Sequence, residues 1–161
     1  MPEFIMNTEG QTNGIAFDDL DAFARGYIEA MFFTESSAWS KAEIQDDPEG
    51  WAEAEREGVS DGTIPSDSTF GDIAPDSLAR IMQDCTRFQD TASNLLREAY
   101  SRDYDAAQAG RDFWFTRNGH GVGFWDRQAL DAGSLGDNLS ALCRHQEQYV
   151  CIGDDGMIHV G

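Results

Sequence analysis

The chain has 161 residues and a formal net charge of −19 at pH 7, with 30 Asp and Glu against 11 Lys and Arg. This charge opposes direct binding to the phosphates of nucleic acid, and the sequence has no apolar run of about 18 residues that would predict a membrane span. Hydrophobic residues make up 40% of the chain, too large a share for a disordered acidic tail. We therefore expect one folded domain over residues 1–161.

The N-terminal half begins with a polar segment and contains one long predicted helix. Residues 1–5 are interpreted as a cloning remnant, and residues 1–16 together as a flexible terminus. Apolar residues at i, i+3, i+4 and i+7 predict a helix over 18–33. The stretch 34–74 is interpreted as an acidic, loop-rich insertion, with a short helix over 48–57 that ends at Gly58.

The C-terminal half is more regular. A continuous apolar stripe predicts a long helix over 75–101, and further helices are expected over 105–117 and 135–145. Two short β-prone runs around a Gly-Asp-Asp-Gly turn at 153–156 predict a terminal β-hairpin. The predicted fold class is therefore α+β: an α-rich single domain of four to five helices with a small C-terminal β-hairpin.

One segment is unusually dense in aromatic, glycine and charged residues. It runs from Asp112 to Arg127 and reads DFWFTRNGHGVGFWDR. It resembles a pattern in small proteins of bacteriophages and mobile elements, where the pattern precedes a short helix and a terminal Gly-Asp-Asp-Gly turn. The resemblance covers about residues 75–161. It implies a phage or mobile-element protein, and it transfers no established activity and no catalytic residue. Together with the acidic charge, it favours a protein of the anti-CRISPR or antirestriction type.

Two interpretations of this segment follow from its chemistry. In the first, His120 is a base or ligand oriented by Asp126, and Arg117 and Arg127 complete a polar site. In the second, the glycines form a sharp turn, the aromatic side chains pack on the 75–101 helix, and Asp126 pairs with Arg117 or Arg127. We favour the second, because glycine-rich loops commonly serve backbone geometry alone.

Metal and covalent catalysis find little support in the sequence. None of the histidines and cysteines has the close spacing of zinc ligands, and the odd number of cysteines favours reduced thiols in a cytoplasm. The residues concerned are His120, His145, His159, Cys85, Cys143 and Cys151. No nucleophile elbow, phosphate-binding loop or metalloprotease motif is present. We therefore expect no enzyme activity, no metal and no cofactor.

The acidic residues are concentrated in one half of the chain. Residues 1–76 hold 18 acids and three bases, whereas residues 77–161 hold 12 acids and eight arginines. Glutamates four residues apart at 49, 53 and 57 would form a column on a helix, with steps of about 6 Å. That step is comparable to the several ångströms between neighbouring phosphates of one DNA strand. The predicted binding residues are Asp46, Asp47, Glu49, Glu53, Glu57 and Asp61, with Trp39 and Trp51 as apolar anchors.

These observations favour an inhibitor that acts as an acidic DNA mimic in the cytoplasm of a bacterial host. Its partner would be a basic, nucleic-acid-binding protein or complex of a defence or DNA-processing system. Two alternatives stay open. One is a small-ligand-binding or enzymatic protein with a site around Arg117, His120 and Asp126, and the other is a haloadapted structural protein whose acids keep it in solution.

Overall fold

The structure is a computed structural model, which describes residues 6–57, 62–144 and 146–161. The fold is α+β and rich in helix, with a small antiparallel hairpin near the C-terminus, which confirms the predicted fold class. Within the described residues there are seven α-helices rather than four or five, together with four short strands. The helices are α1 (Ala22–Glu35), α2 (Lys41–Asp46), α3 (Pro48–Arg56), α4 (Pro75–Thr91), α5 (Ser93–Tyr100), α6 (Ala106–Arg117) and α7 (Leu135–Ala141). The strands are β1 (Gln11–Thr12), β2 (Ile15–Ala16), β3 (Val150–Ile152) and β4 (Ile158–Val160), paired β1 with β2 and β3 with β4.

Helices α1 and α6 pack backbone against backbone at the centre of the core. Gly26 on α1 faces Ala107 on α6, and Gly110 on α6 faces Phe23 on α1. A Cβ atom on either glycine would collide with the carbonyl oxygen of the facing residue. The absence of side chains at these two positions therefore sets the distance between the helices.

Helix α4 joins this pair through stacked aromatic rings. The Phe88 ring lies 4.3 Å from that of Phe113 and 5.7 Å from that of Phe124, and both pairs are nearly parallel. On the other side of α6, Trp114 meets Tyr27 of α1 edge to face at 5.3 Å. Several aromatics of the 112–127 segment thus lie inside the core, whereas Trp125 is 48% exposed.

The helix boundaries depart from the predictions at three places. Helix α1 begins at Ala22 rather than at residue 18, because the Asp21 carboxylate caps it by accepting a hydrogen bond from the Ala24 amide. The helix expected over 75–101 is interrupted at Ala92, whose backbone leaves helical geometry while its side chain stays buried. Helix α7 ends at Ala141 rather than at residue 145, and residue 145 itself lies outside the described part of the chain.

Two elements appear in segments to which the sequence analysis assigned none. Strands β1 and β2 form a hairpin around Asn13 and Gly14, which both have positive φ, as a type I′ turn requires. Helix α2 begins with a capping box in which the Ser40 hydroxyl accepts from the Glu43 amide and the Glu43 carboxylate accepts from the Ser40 amide. Local hydrogen bonding is sufficient to explain both.

The stretch 34–74 divides into two parts with different environments. Helices α2 and α3 contain no buried residue. By contrast, Ile64, Phe70 and Ile73 are fully buried and belong to the central core. The segment that carries Ile64, Phe70 and Ile73 therefore belongs to the core, and the exposed part of the stretch is confined to α2 and α3.

Candidate functional site

Residues 40–57, which comprise α2 and α3, form a unit that we call the acidic hairpin. It holds seven carboxylates and two bases, Lys41 and Arg56. Lys41 is engaged with the rest of the fold, because its Nζ lies 2.8 Å from the Asp72 carboxylate and its amide donates to Asp67. Burial would raise the pKa of Asp72, but hydrogen bonds from Lys41 and Thr69 outweigh it and lower that pKa. The charge of Lys41 is therefore largely neutralised where the hairpin joins the core.

The predicted glutamate column lies on the exposed face of α3. Glu49 and Glu53 are in the helix, and Glu57 continues it as the C-terminal cap with helical backbone angles. All three are exposed, and within the described residues their carboxylates accept no hydrogen bond and form no ion pair. At a rise of about 1.5 Å per residue, successive carboxylates are spaced by about 6 Å along the helix.

The other predicted acids have different roles. Asp46 is exposed at the end of α2 without a partner in the described part of the chain. Asp47 is also exposed, but its carboxylate caps α3 by accepting from the Gly50 amide at 3.0 Å. Asp61 lies outside the described residues.

Trp39 and Trp51 pack against each other. Their ring centroids are 5.7 Å apart at an angle of 60°, and both residues are only partly exposed. Trp39 directly precedes the acidic hairpin and Trp51 lies in α3, so this contact holds α3 against the segment that leads into the hairpin. The Trp39 carbonyl also accepts from the Ser66 amide, which links the hairpin to the segment that carries Ile64. These two rings stabilise the acidic hairpin where buried side chains do not.

The alternative site predicted around Arg117 is dispersed in the structure. The Arg117 side chain is 5% exposed, and its Nη1 donates to the Asp84 carboxylate at 3.1 Å and to the Tyr27 hydroxyl at 3.0 Å. Its Nε donates to the Gln146 carbonyl, and its guanidinium lies 4.7 Å from the centre of the Phe113 ring. Arg117 of α6 thus connects α1, α4 and the segment after α7.

Arg127 has a separate, buried partner. Its Nε and Nη2 hold the Asp112 carboxylate in a bidentate pair, with the shortest distance 2.7 Å. Asp112 is fully buried and also accepts from the Tyr104 hydroxyl at 2.6 Å and from Gln108 at 3.1 Å. Burial raises the pKa of Asp112, although these three donors oppose the shift, and burial next to Asp112 raises the pKa of Tyr104. Tyr104 therefore stays protonated and donates to Asp112.

His120 and Asp126 do not form the pair that the first interpretation of this segment requires. His120 Nε2 lies 3.6 Å from the Glu35 carboxylate of α1, and its ring is stacked 6.2 Å from Trp114. Burial raises the pKa of Glu35, and the neighbouring His120 lowers it by less. The Asp126 carboxylate accepts from the Gly123 amide at 2.9 Å and lies 3.9 Å from Arg127 Nε. The structure thus distributes the four residues of the alternative site among separate partners.

The remaining histidines and cysteines lie in separate parts of the fold. Within residues 6–57, 62–144 and 146–161, no three His, Cys, Asp or Glu side chains are grouped as metal ligands would be. His159 pairs with Asp155 of the terminal hairpin at 3.0 Å, and His145 falls outside these residues. Cys85 and Cys143 are buried, and Cys151 is exposed. In the same residues every helix is too short or too polar to cross a bilayer.

Comparison with protein-family models, with curated proteins and with solved structures finds no match to this chain.

Proposed function

We propose that the protein binds the nucleic-acid-binding surface of a basic partner protein through its acidic hairpin, and that it inhibits the partner by occupying that surface. The observation that carries this proposal is the set of exposed carboxylates on α3 that have no partner within the described residues. A carboxylate that caps a helix or pairs with arginine already has a structural role. Within the described residues the column of Glu49, Glu53 and Glu57 has none, so its charge is available to another molecule.

The shape of the acidic hairpin supports the same proposal. Its helices contribute no buried residue to the core, so they present their charge on a projecting surface. Steps of about 6 Å along α3 place negative charges in a row, as neighbouring phosphates do along a DNA strand. Guanidinium and ammonium groups that bind such phosphates can bind carboxylates in the same way.

Electrostatics also predicts how this binding would depend on salt. A net charge of −19 steers a basic partner toward the protein over distances comparable to the Debye length. That length is about 10 Å at 0.1 M salt and falls to about 3 Å at 1 M. Binding through exposed carboxylates should therefore weaken strongly as salt is raised.

The experiment is affinity capture from a bacterial lysate at low and high salt with three immobilised proteins. One is the natural sequence, one carries Glu49→Gln, Glu53→Gln and Glu57→Gln, and the control carries Asp90→Asn, Asp131→Asn and Asp154→Asn. The control residues are exposed and lie outside the acidic hairpin. Both variants lose three negative charges, so they differ only in where the charge is lost.

We expect the natural protein and the control to capture the same nucleic-acid-binding protein at low salt and to release it at high salt. The glutamine variant should capture much less of it. The captured protein is then purified and tested by gel shift, where the natural protein should compete with DNA or RNA. The proposal fails if the glutamine variant captures and competes as well as the control does.

If no basic partner is captured and thermal stability rises steeply with salt, the acids serve solvation, as in a haloadapted protein.

A further inference from the structure

A cleft of about 500 Å³ lies between α4, the end of α6 and the segment that follows α7. Its size falls within the range of about 300–1,000 Å³ that is typical of small-molecule sites. Polar residues of its lining include Arg80, Asp84 and Arg87 from α4, Arg117 from α6, and Gln146 and Gln148. None of these residues belongs to the acidic hairpin, and Arg117 is the one residue shared with the site predicted from sequence.

Arg80 and Arg87 of this cleft differ from three arginines whose charges are compensated. Arg102, Arg111 and Arg127 each pair with an acid. Arg80 and Arg87 are exposed and make no ion pair or side-chain hydrogen bond within the described part of the chain. Two unpaired cations on one wall of a concave surface are notable in a protein whose net charge is −19.

The spacing along α4 places these groups on one face. Arg80, Asp84 and Arg87 follow each other at intervals of four and three residues, so they lie on adjacent turns of the same side. Asp84 is already bound by Arg117 at 3.1 Å, and its negative charge is thus compensated. The bonds of Arg117 use Nε and Nη1, which leaves Nη2 without a partner among the described residues.

The opposite wall supplies uncharged hydrogen-bonding groups. Gln146 and Gln148 lie on that wall, in the segment after α7, whereas Gln83 and Thr91 lie on α4 with the arginines. The side-chain amides of these glutamines carry both donor and acceptor atoms, so they can bind hydroxyl groups of a molecule in the cleft.

We infer that this cleft binds a small phosphate monoester with a hydroxyl-bearing body, such as a nucleoside monophosphate or a sugar phosphate. Arg80 and Arg87 bind the phosphate, because guanidinium groups match its oxygens in charge and geometry. The glutamines and Thr91 bind the hydroxyl-bearing part. The phosphate is compact enough to be held locally, although the charge of the whole protein repels longer polyanions.

The test uses the full-length protein and isothermal titration with three probes: adenosine monophosphate, glucose 6-phosphate and inorganic phosphate. One variant carries Arg80→Gln and Arg87→Gln. The matched control carries Arg56→Gln and Arg97→Gln, which removes two exposed arginines outside the cleft. Melting temperatures of all three proteins verify that they are folded.

We expect saturable binding of at least one ester, and the stronger of the two identifies which body the cleft accepts. The Arg80 and Arg87 variant should bind that ester about tenfold more weakly, which corresponds to about 1.4 kcal/mol, whereas the control should bind it as the natural protein does. The side-chain amide signal of Gln148 should shift on binding in a ¹⁵N spectrum. Equal affinity for inorganic phosphate would overturn the assignment of an organic ester. Absence of binding, or equal losses in both variants, would overturn the site itself.

Discussion

Replacement of Arg127 by Gln tests whether this arginine serves the fold or a polar site. In the natural protein its guanidinium holds both oxygens of Asp112, a residue with no exposed side-chain surface. The substitution leaves Asp112 buried with Tyr104 and Gln108 as its remaining donors. Loss of one partner of a buried ion pair typically destabilises a protein by about 3–5 kcal/mol.

The lower end of that range applies here. The Arg127 side chain is 31% exposed, so water already screens part of the interaction. We therefore expect a loss of about 3 kcal/mol in the free energy of unfolding at pH 7. For a domain of this size that corresponds to a decrease in melting temperature of about 6–12 °C.

The pH dependence gives a second, independent readout. Burial already raises the pKa of Asp112, and removal of Arg127 raises it further. The cost of the buried charge is present above this pKa and is relieved as pH falls through it, because the protonated acid is neutral. The deficit of the Arg127→Gln variant should thus shrink on acidification, and adding Asp112→Asn should restore stability at pH 7.

The assay is thermal unfolding followed by circular dichroism between pH 5 and pH 8. Arg97→Gln is the control, because Arg97 is exposed and has no ion pair within the described residues. A loss below about 1 kcal/mol at pH 7 would refute the structural role. A loss in the free energy of unfolding that grows as pH falls would also refute this role.

Three further predictions concern other parts of the molecule. Gly110→Ala should lower the unfolding free energy by about 1–3 kcal/mol or more, because its Cβ would meet the Phe23 carbonyl; a melting temperature equal to that of the natural protein would contradict this. Glu35→Gln should stabilise the protein at pH 8 and less so at pH 4, because burial raises the pKa of Glu35 and penalises its charged form at high pH. Denaturant titration at both pH values measures this, and a gain that increases at low pH would oppose it. Trp51→Ala removes the contact with Trp39, so hydrogen exchange in α2 and α3 should accelerate while that of α6 is unchanged; unchanged exchange in α3 would rule out the stabilising role.

The parts of the fold that the sequence predicted are those governed by local patterns. The apolar stripe of α4 and the Asn118-Gly119 stop after α6 both have local signals, and Gly119 has positive φ as expected. The turn at 153–156 also joins two paired strands. The break at Ala92 has no such signal, because neither glycine nor proline marks it and only packing in the folded protein distinguishes it.

Two missed elements did have local signals. Asn-Gly at 13–14 is the preferred sequence of a type I′ turn, and Ser40 with Glu43 is a capping box.

The candidate sites differ in how much of their geometry can be predicted from the sequence. The exposed acids of α3 are predictable, since helical spacing alone places them in a column. The partners of the arginines are not, because Asp84 lies 33 residues from Arg117 and Asp112 lies 15 residues from Arg127. The arginine-lined cleft requires α4 to meet the segment after α7, and no local pattern encodes that encounter.

The glycine contacts between α1 and α6 have a consequence for how this chain can change over evolutionary time. At Gly26 and Gly110 the obstacle to a larger residue is a main-chain carbonyl, which every amino acid possesses. A second mutation elsewhere can shorten a side chain, but it cannot remove a carbonyl. Neither position can therefore be rescued by a compensating side-chain substitution, and a homologue with a larger residue at either one must hold its two helices further apart.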